Sequence, residues 1–272
     1  MIDPNLIAKI PQEFAQVKPF LEQNLLPYIA ITCEEQGSLD SACDPDLLLP
    51  WETKLGGYPY LPKGMDYPKD EETDRFLMFL GQIDCADVPE LPGFNLPKQG
   101  LLQFYTGYIP TMGEWRSTQH YIRYFPEVSK DEGDLITDFS FLEEERSYNE
   151  WYYDVYRLRF SLENDVFFDY RSSAFKVFHP LDTPEELKSV WEEFYYDWFY
   201  EQKEHMTLKG NGKLGGYPEV HSYVPETLES AEGQLLLELE HPYDGVYFYF
   251  FIDPQKLTQA DFSEVSSYVV AG

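Results

Sequence analysis

Lys54–Pro59 reads KLGGYP, and Lys213–Pro218 reads KLGGYP again. Six identical residues recurring between positions 54 and 213 of a 272-residue chain are not expected by chance. The order downstream recurs too. FLGQID (Phe79–Asp84) follows the first copy and LLLELE (Leu235–Glu240) the second, each an apolar run that turns polar at its fourth and sixth positions. GLLQFY (Gly100–Tyr105) then corresponds to GVYFYF (Gly245–Phe250). The simplest account is duplication of a Gly-loop–strand–strand unit, with repeat one at about 51–125 and repeat two at about 210–272. Two such units are predicted to share one core across a pseudo-two-fold axis, in a single domain spanning 1–272.

Outward from the repeats, the spacing of Leu6, Ile7, Ile10, Phe14, Val17, Phe20 and Leu21 predicts an N-terminal helical segment broken at Pro11. YIAITC (Tyr28–Cys33), Phe76–Ile83, Gly100–Tyr105, Gln119–Phe125, Trp151–Phe160, Val166–Tyr170, Ala174–Phe178, Gln234–Leu239, Gly245–Ile252 and Val265–Val270 read as strands. A helix is expected at about 183–205, capped at Asp182 or Thr183, with Pro184 in its first turn. Its apolar stripe (Leu187, Val190, Trp191, Phe194, Trp198, Phe199) suits a core or an interface. The predicted fold class is α+β, mostly antiparallel sheet.

Twenty Lys and Arg against 49 Asp and Glu leave a net charge of −29, spread along the chain. A field of that sign repels nucleic acid and anionic membrane, and it attracts a basic protein partner. It also serves solubility. Three cysteines (Cys33, Cys43, Cys85) without a CxxC spacing fit neither a disulfide framework nor a zinc ribbon. Met1–Ile10 has no basic segment leading into an apolar run, and no stretch of about 18 apolar residues occurs. A cytoplasmic location is the expectation.

The candidate site residues cluster on the repeated motif. Gly56 and Gly57, with Gly215 and Gly216, permit positive φ. Such a bend can lock a strand into the core, or its N–H groups can form an anion-binding nest with Lys54 or Lys213 nearby. No Lys-Ser/Thr follows the glycines, so the loop is not a phosphate-binding P-loop. Gln82 and Glu238 occupy equivalent places in otherwise apolar strands and must find hydrogen bonds or reach water. Asp84 and Glu240 are equivalent as well, and a pseudo-two-fold axis could bring them together as paired carboxylates. Trp51 precedes the first copy. There is no GxSxG elbow and no HExxH, and none of His120, His179, His205, His221 and His241 pairs with another at helical spacing. Cys85 is the best placed of the thiols, though a small buried residue explains it as well. No metal and no cofactor is expected.

Trp51 with KLGGYPYLP (Lys54–Pro62), FLGQID, PKQGLLQFY (Pro97–Tyr105), the second KLGGYP and GVYFYFFID (Gly245–Asp253) together resemble the YwqG-like family of bacterial proteins, which has no established biochemical function. The resemblance implies an α+β fold with internal duplication, a cytoplasmic protein and, by the company such genes keep, a toxin-neutralising role. Two functions from different classes follow. One is a binding or immunity-type protein engaging a basic protein such as a toxin. The other is a hydrolase or small-ligand-binding protein with an acidic, aromatic cleft between the two repeats. A third possibility is oligomerisation through the aromatic helix.

Overall fold

A computed structural model describes residues 4–107, 119–146, 154–166, 187–199, 211–218, 233–240 and 246–271. Ten strands form one antiparallel sheet: β1 (Leu25–Ser38), β2 (Lys54–Leu55), β3 (Met78–Asp84), β4 (Leu101–Thr106), β5 (His120–Phe125), β6 (Asp154–Val166), β7 (Gly212–Leu214), β8 (Gln234–Glu240), β9 (Val246–Ile252) and β10 (Val265–Ala271). Their order is β10-β9-β8-β7-β1-β6-β2-β3-β4-β5. The long β1–β6 pair is the spine, with Leu25 opposite Val166 and Ser38 opposite Asp154. Four strands flank it on each side.

The sheet curls until its two edges nearly meet. His120 on β5 donates through Nε2 to the Val265 carbonyl on β10 at 3.2 Å, since a carbonyl can only accept. Its Nδ1 is then free to accept from the Ser267 hydroxyl. The result is a nearly closed, barrel-like sheet. Closure of this kind leaves few unpaired backbone groups at an edge.

Period-2 alternation decides what fills the interior. On β9, Val246, Phe248, Phe250 and Ile252 face the central cluster, and Tyr247, Tyr249 and Phe251 face outward into a second one. On β4, Leu102 and Phe104 point in, while Tyr105 points out. The central cluster draws on all ten strands, and Phe104 of β4 meets Phe250 of β9 at 5.1 Å between ring centroids. Each such buried ring contributes about 1.5–3 kcal/mol. Both faces of β4 and β9 are covered; β9 reads as a continuous apolar run, and β4 as an apolar run broken by the buried Gln103.

The outer face of β3 and β4 is roofed by the loops from 58 to 77 and 135 to 142, with Tyr58 stacked on Phe139 at 4.7 Å. The N-terminal segment forms a helix at Pro4–Lys9, a 3-10 turn at Gln12–Val17 and a helix at Lys18–Gln23, broken at Pro11. It packs against the aromatic helix, of which the described part runs Lys188–Glu193 and continues as a π-helical turn through Phe199. Phe14 meets Phe194 at 5.6 Å and Phe20 meets Trp191 at 5.3 Å. Val190, Trp191, Phe194 and Trp198 of the expected stripe therefore make an internal contact in a separate cluster from the barrel core. The expected helix ends (183–186 and 200–205) and the strands expected at 167–170 and 174–178 lie outside the described residues. Among the described residues no helix is long and apolar enough to cross a membrane.

Candidate functional site

The first KLGGYP supplies β2 and the bend after it. Lys54 pairs with Gln82 of β3 on one side and Arg157 of β6 on the other. Gly56 and Gly57 both sit at φ +70°. A Cβ at Gly56 would lie 1.9 Å from the Asp154 carbonyl oxygen, so backbone packing admits only glycine there. One N–H of the bend, that of Tyr58, meets an anion, and that anion is the chain's own Asp46. Its Oδ2 accepts from Tyr58 N at 2.9 Å and from Lys54 Nζ at 2.7 Å, and its Oδ1 accepts from Leu48 N at 3.2 Å. The Lys54 side chain has no exposed surface. Burial pulls its ammonium below the ordinary lysine range, and Asp46 draws it partly back.

The second KLGGYP makes β7 and a matching bend, with Gly215 and Gly216 at φ +66° and +72°. Lys213 is again fully buried. It donates to the Tyr217 carbonyl at 2.6 Å and lies 5.1 Å from the Tyr28 ring centroid. It stands opposite Glu238 of β8, as Lys54 stands opposite Gln82. A Cβ at Gly215 would meet Leu91, and one at Gly216 would meet Tyr28. The loop at 91–94 from one flank of the sheet is thus seated on the bend of the other.

Gln82 is fully buried and saturated. Its Oε1 accepts from Tyr60 N and Gln103 Nε2, and its Nε2 donates to the carbonyls of Pro50 and Glu52 at 2.7 and 2.8 Å. It fastens the loop before β2 and does not rim a cleft. Asp84 and Glu240 are not brought together. Four strands separate β3 from β8 in the sheet, and Glu240 accepts from the Tyr247 hydroxyl at 2.9 Å. Cys85 is buried, and that burial pushes its thiol up to about 12, as it does for Cys33. Neither forms a thiolate near neutral pH. Among the described residues no group of three or more His, Cys, Asp and Glu could hold a metal ion. His179, His205, His221 and His241 lie outside them.

Two of the candidate residues, Trp51 and Asp84, line the same open cleft of about 520 Å³. One wall is the end of β3 and the 3-10 turn after it, carrying Asp84 and Asp87. The other is β6, carrying Arg157 and Arg159, and Glu52 and Lys130 line the cleft as well. Thr53 lies between. Its hydroxyl donates to Asp87 Oδ2 at 2.6 Å and accepts from Asp84 N at 2.9 Å, which ties the acidic turn to the strand junction. Arg157 Nη1 donates to Glu52 Oε1 at 2.6 Å, and Arg159 Nε to Glu34 Oε2 at 3.0 Å. Burial raises the Glu52 carboxyl, but the Leu49 N–H and Arg157 outweigh it and hold the group below the ordinary range. The sequence reading named neither arginine, nor Thr53, Asp87 or Lys130. The one available signal was the alternation of Arg157, Leu158 and Arg159, which sets both arginines on the face away from the core.

A family model described as a domain of unknown function, DUF1963, matches residues 53–269. The chain belongs to that family. No curated protein matches it. The family match takes in both KLGGYP bends, both walls of the cleft and nine of the ten strands at least in part; β1 precedes it.

Proposed function

We propose that this DUF1963 protein is a binding protein that takes a small polar ligand in the cleft of Trp51, Thr53, Asp84 and Arg157. The observation that carries the reading is the set of uncommitted polar atoms lining that space. Asp84 uses one carboxylate oxygen on Ala86 N and Asp87 one on Thr53, while each arginine spends one N–H group on an acid. These groups line one open cleft beside a half-buried indole, within the size range of small-ligand pockets. Saturation-transfer NMR of the whole chain against a mixed pool of sugars, amino acids, peptides and nucleotides tests it. Binders whose signal disappears in Trp51→Ala are expected. A pool without binders, or binders indifferent to that change in a folded variant, refutes the reading.

A second reading is an immunity-type protein engaging a basic protein, a toxin among the candidates, in the cytoplasm. What favours it is the net charge of −29 together with exposed acidic segments at Glu71–Asp74 and Asp131–Asp134 and the exposed acids Asp138, Glu143 and Glu144. Recovery of a basic protein from a native lysate at low salt, lost at moderate salt, is the expected result. Recovery of no protein at either salt counts against it.

We also read the two flanks as copies of one ancestral unit of the YwqG-like kind. Three correspondences support this. The hexapeptides are identical, both lysines are buried opposite a polar residue of the next strand, and the β3–β4 and β8–β9 ladders each shift register at the same place, between Phe79 and Gly81 and between Leu235 and Leu237.

A further inference from the structure

The cleft carries both signs of charge. Asp84 and Asp87 line it from the end of β3 and the turn after it, Arg157 and Arg159 from β6, and Glu52 and Lys130 line it as well. Opposite charges sharing one small cleft ordinarily close into ion pairs. Here Arg157 pairs within the cleft with Glu52, and Arg159 pairs with Glu34, while among the described residues no ion pair joins Asp84 or Asp87 to any of the three cations. Lys130 has no acidic partner among them at all. The buried Thr53 hydroxyl fixes one oxygen of Asp87 and accepts from the backbone N–H of Asp84. In a chain with 49 acids and 20 bases, a cleft lined by three acids and three bases departs from the overall balance.

We propose that the cleft selects a zwitterion, a free α-amino acid or short peptide with both termini free. Its ammonium group would sit against the open oxygens of Asp84 and Asp87, and its carboxylate against Lys130 and the unused guanidinium N–H groups of Arg157 and Arg159. A neutral sugar would satisfy the acceptors and leave the cations unanswered. A simple anion would answer the cations and face the two carboxylates. Charge-assisted contacts at each end make each terminus a separate determinant. The inference rests on the small-ligand reading of the same cleft and goes further by naming the class.

Isothermal calorimetry on the full chain with trialanine, N-acetyl-trialanine, trialanine amide and cellobiose decides it. Trialanine is expected to bind, and capping either terminus is expected to weaken it about tenfold or more. Asp87→Asn keeps an acceptor for Thr53 and is expected to erase most of the difference between trialanine and its acetylated form. Lys130→Met, at an exposed position, is expected to shrink the difference between trialanine and its amide. Thermal melts identify any variant that fails to fold. If the capped peptides bind as well as the free one, or cellobiose binds and trialanine does not, the zwitterion class is wrong and the cleft reading stands. If trialanine fails while the mixed pool yields ligands sensitive to Trp51→Ala, the class is again wrong alone. If neither experiment yields a ligand, both fall.

Discussion

Removing the Asp46 carboxylate should expose how the first bend is held together. In Asp46→Ala, the Lys54 ammonium keeps one contact, the Leu49 carbonyl at 3.3 Å, and Tyr58 N and Leu48 N lose their acceptor. Lys54 is fully buried and the Asp46 side chain is 12% exposed, so the pair is largely out of water. Breaking a buried pair by deleting one partner costs about 3–5 kcal/mol, because the remaining charge stays desolvated. The orphaned N–H groups are part of that figure, not an addition to it. Urea unfolding at pH 7, compared with the parent chain, measures the loss.

The pH dependence separates an orphaned charge from a lost packing contact. Burial already lowers the pKa of Lys54 in the folded state, and Asp46 is its main support against that. Without Asp46 the folded pKa falls further, while the unfolded value does not move. Between the two the unfolded chain binds more protons, so the variant gains stability as pH rises through that window. The penalty of Asp46→Ala should therefore be largest near neutrality and shrink toward pH 10. Lys54→Met combined with Asp46→Asn, which buries no charge, should recover most of the loss. A penalty below about 1 kcal/mol, within the range of surface ion pairs, or one flat from pH 7 to 10, refutes the argument.

The glycines of the bend and the seam of the barrel yield further tests. Gly56→Ala meets the Asp154 carbonyl at 1.9 Å, whereas Gly64→Ala, at φ +84°, meets nothing within 4 Å. The second should lose only the left-handed cost of about 1–2 kcal/mol and the first much more, read as melting temperatures; equal losses would mean that close approach does not decide the bend. His120→Ala removes two bonds between β5 and β10, at about 0.5–1.5 kcal/mol each, and should speed hydrogen exchange in those two strands ahead of β1 and β6. Exchange that rises equally in all four strands would show that the seam is not a local closure.

Much of the fold was legible in the chain because its local signals agree. Alternating apolar and aromatic residues mark strands wherever one face packs, and the paired KLGGYP copies mark two bends at which positive φ demands glycine. The apolar runs at Met78–Asp84 and Val246–Ile252 were recognisable as strands because runs of that length between turn signals are too short for most helices. The cleft was expected between the two repeats, whereas the cleft of Trp51 and Asp84 is lined by no residue of repeat two. Asp84 was named as the counterpart of Glu240, and its neighbours Arg157, Arg159 and Lys130 come from segments far along the chain that carry no motif. Strand order brings them together: β6 inserts between β1 and β2, which sets Arg157 opposite Lys54. Side-chain alternation is local and can be read from the sequence alone. Which strand lies beside which is settled by nonlocal burial, as is the choice of Asp46 as the anion in the first bend, and only the tertiary structure decides either.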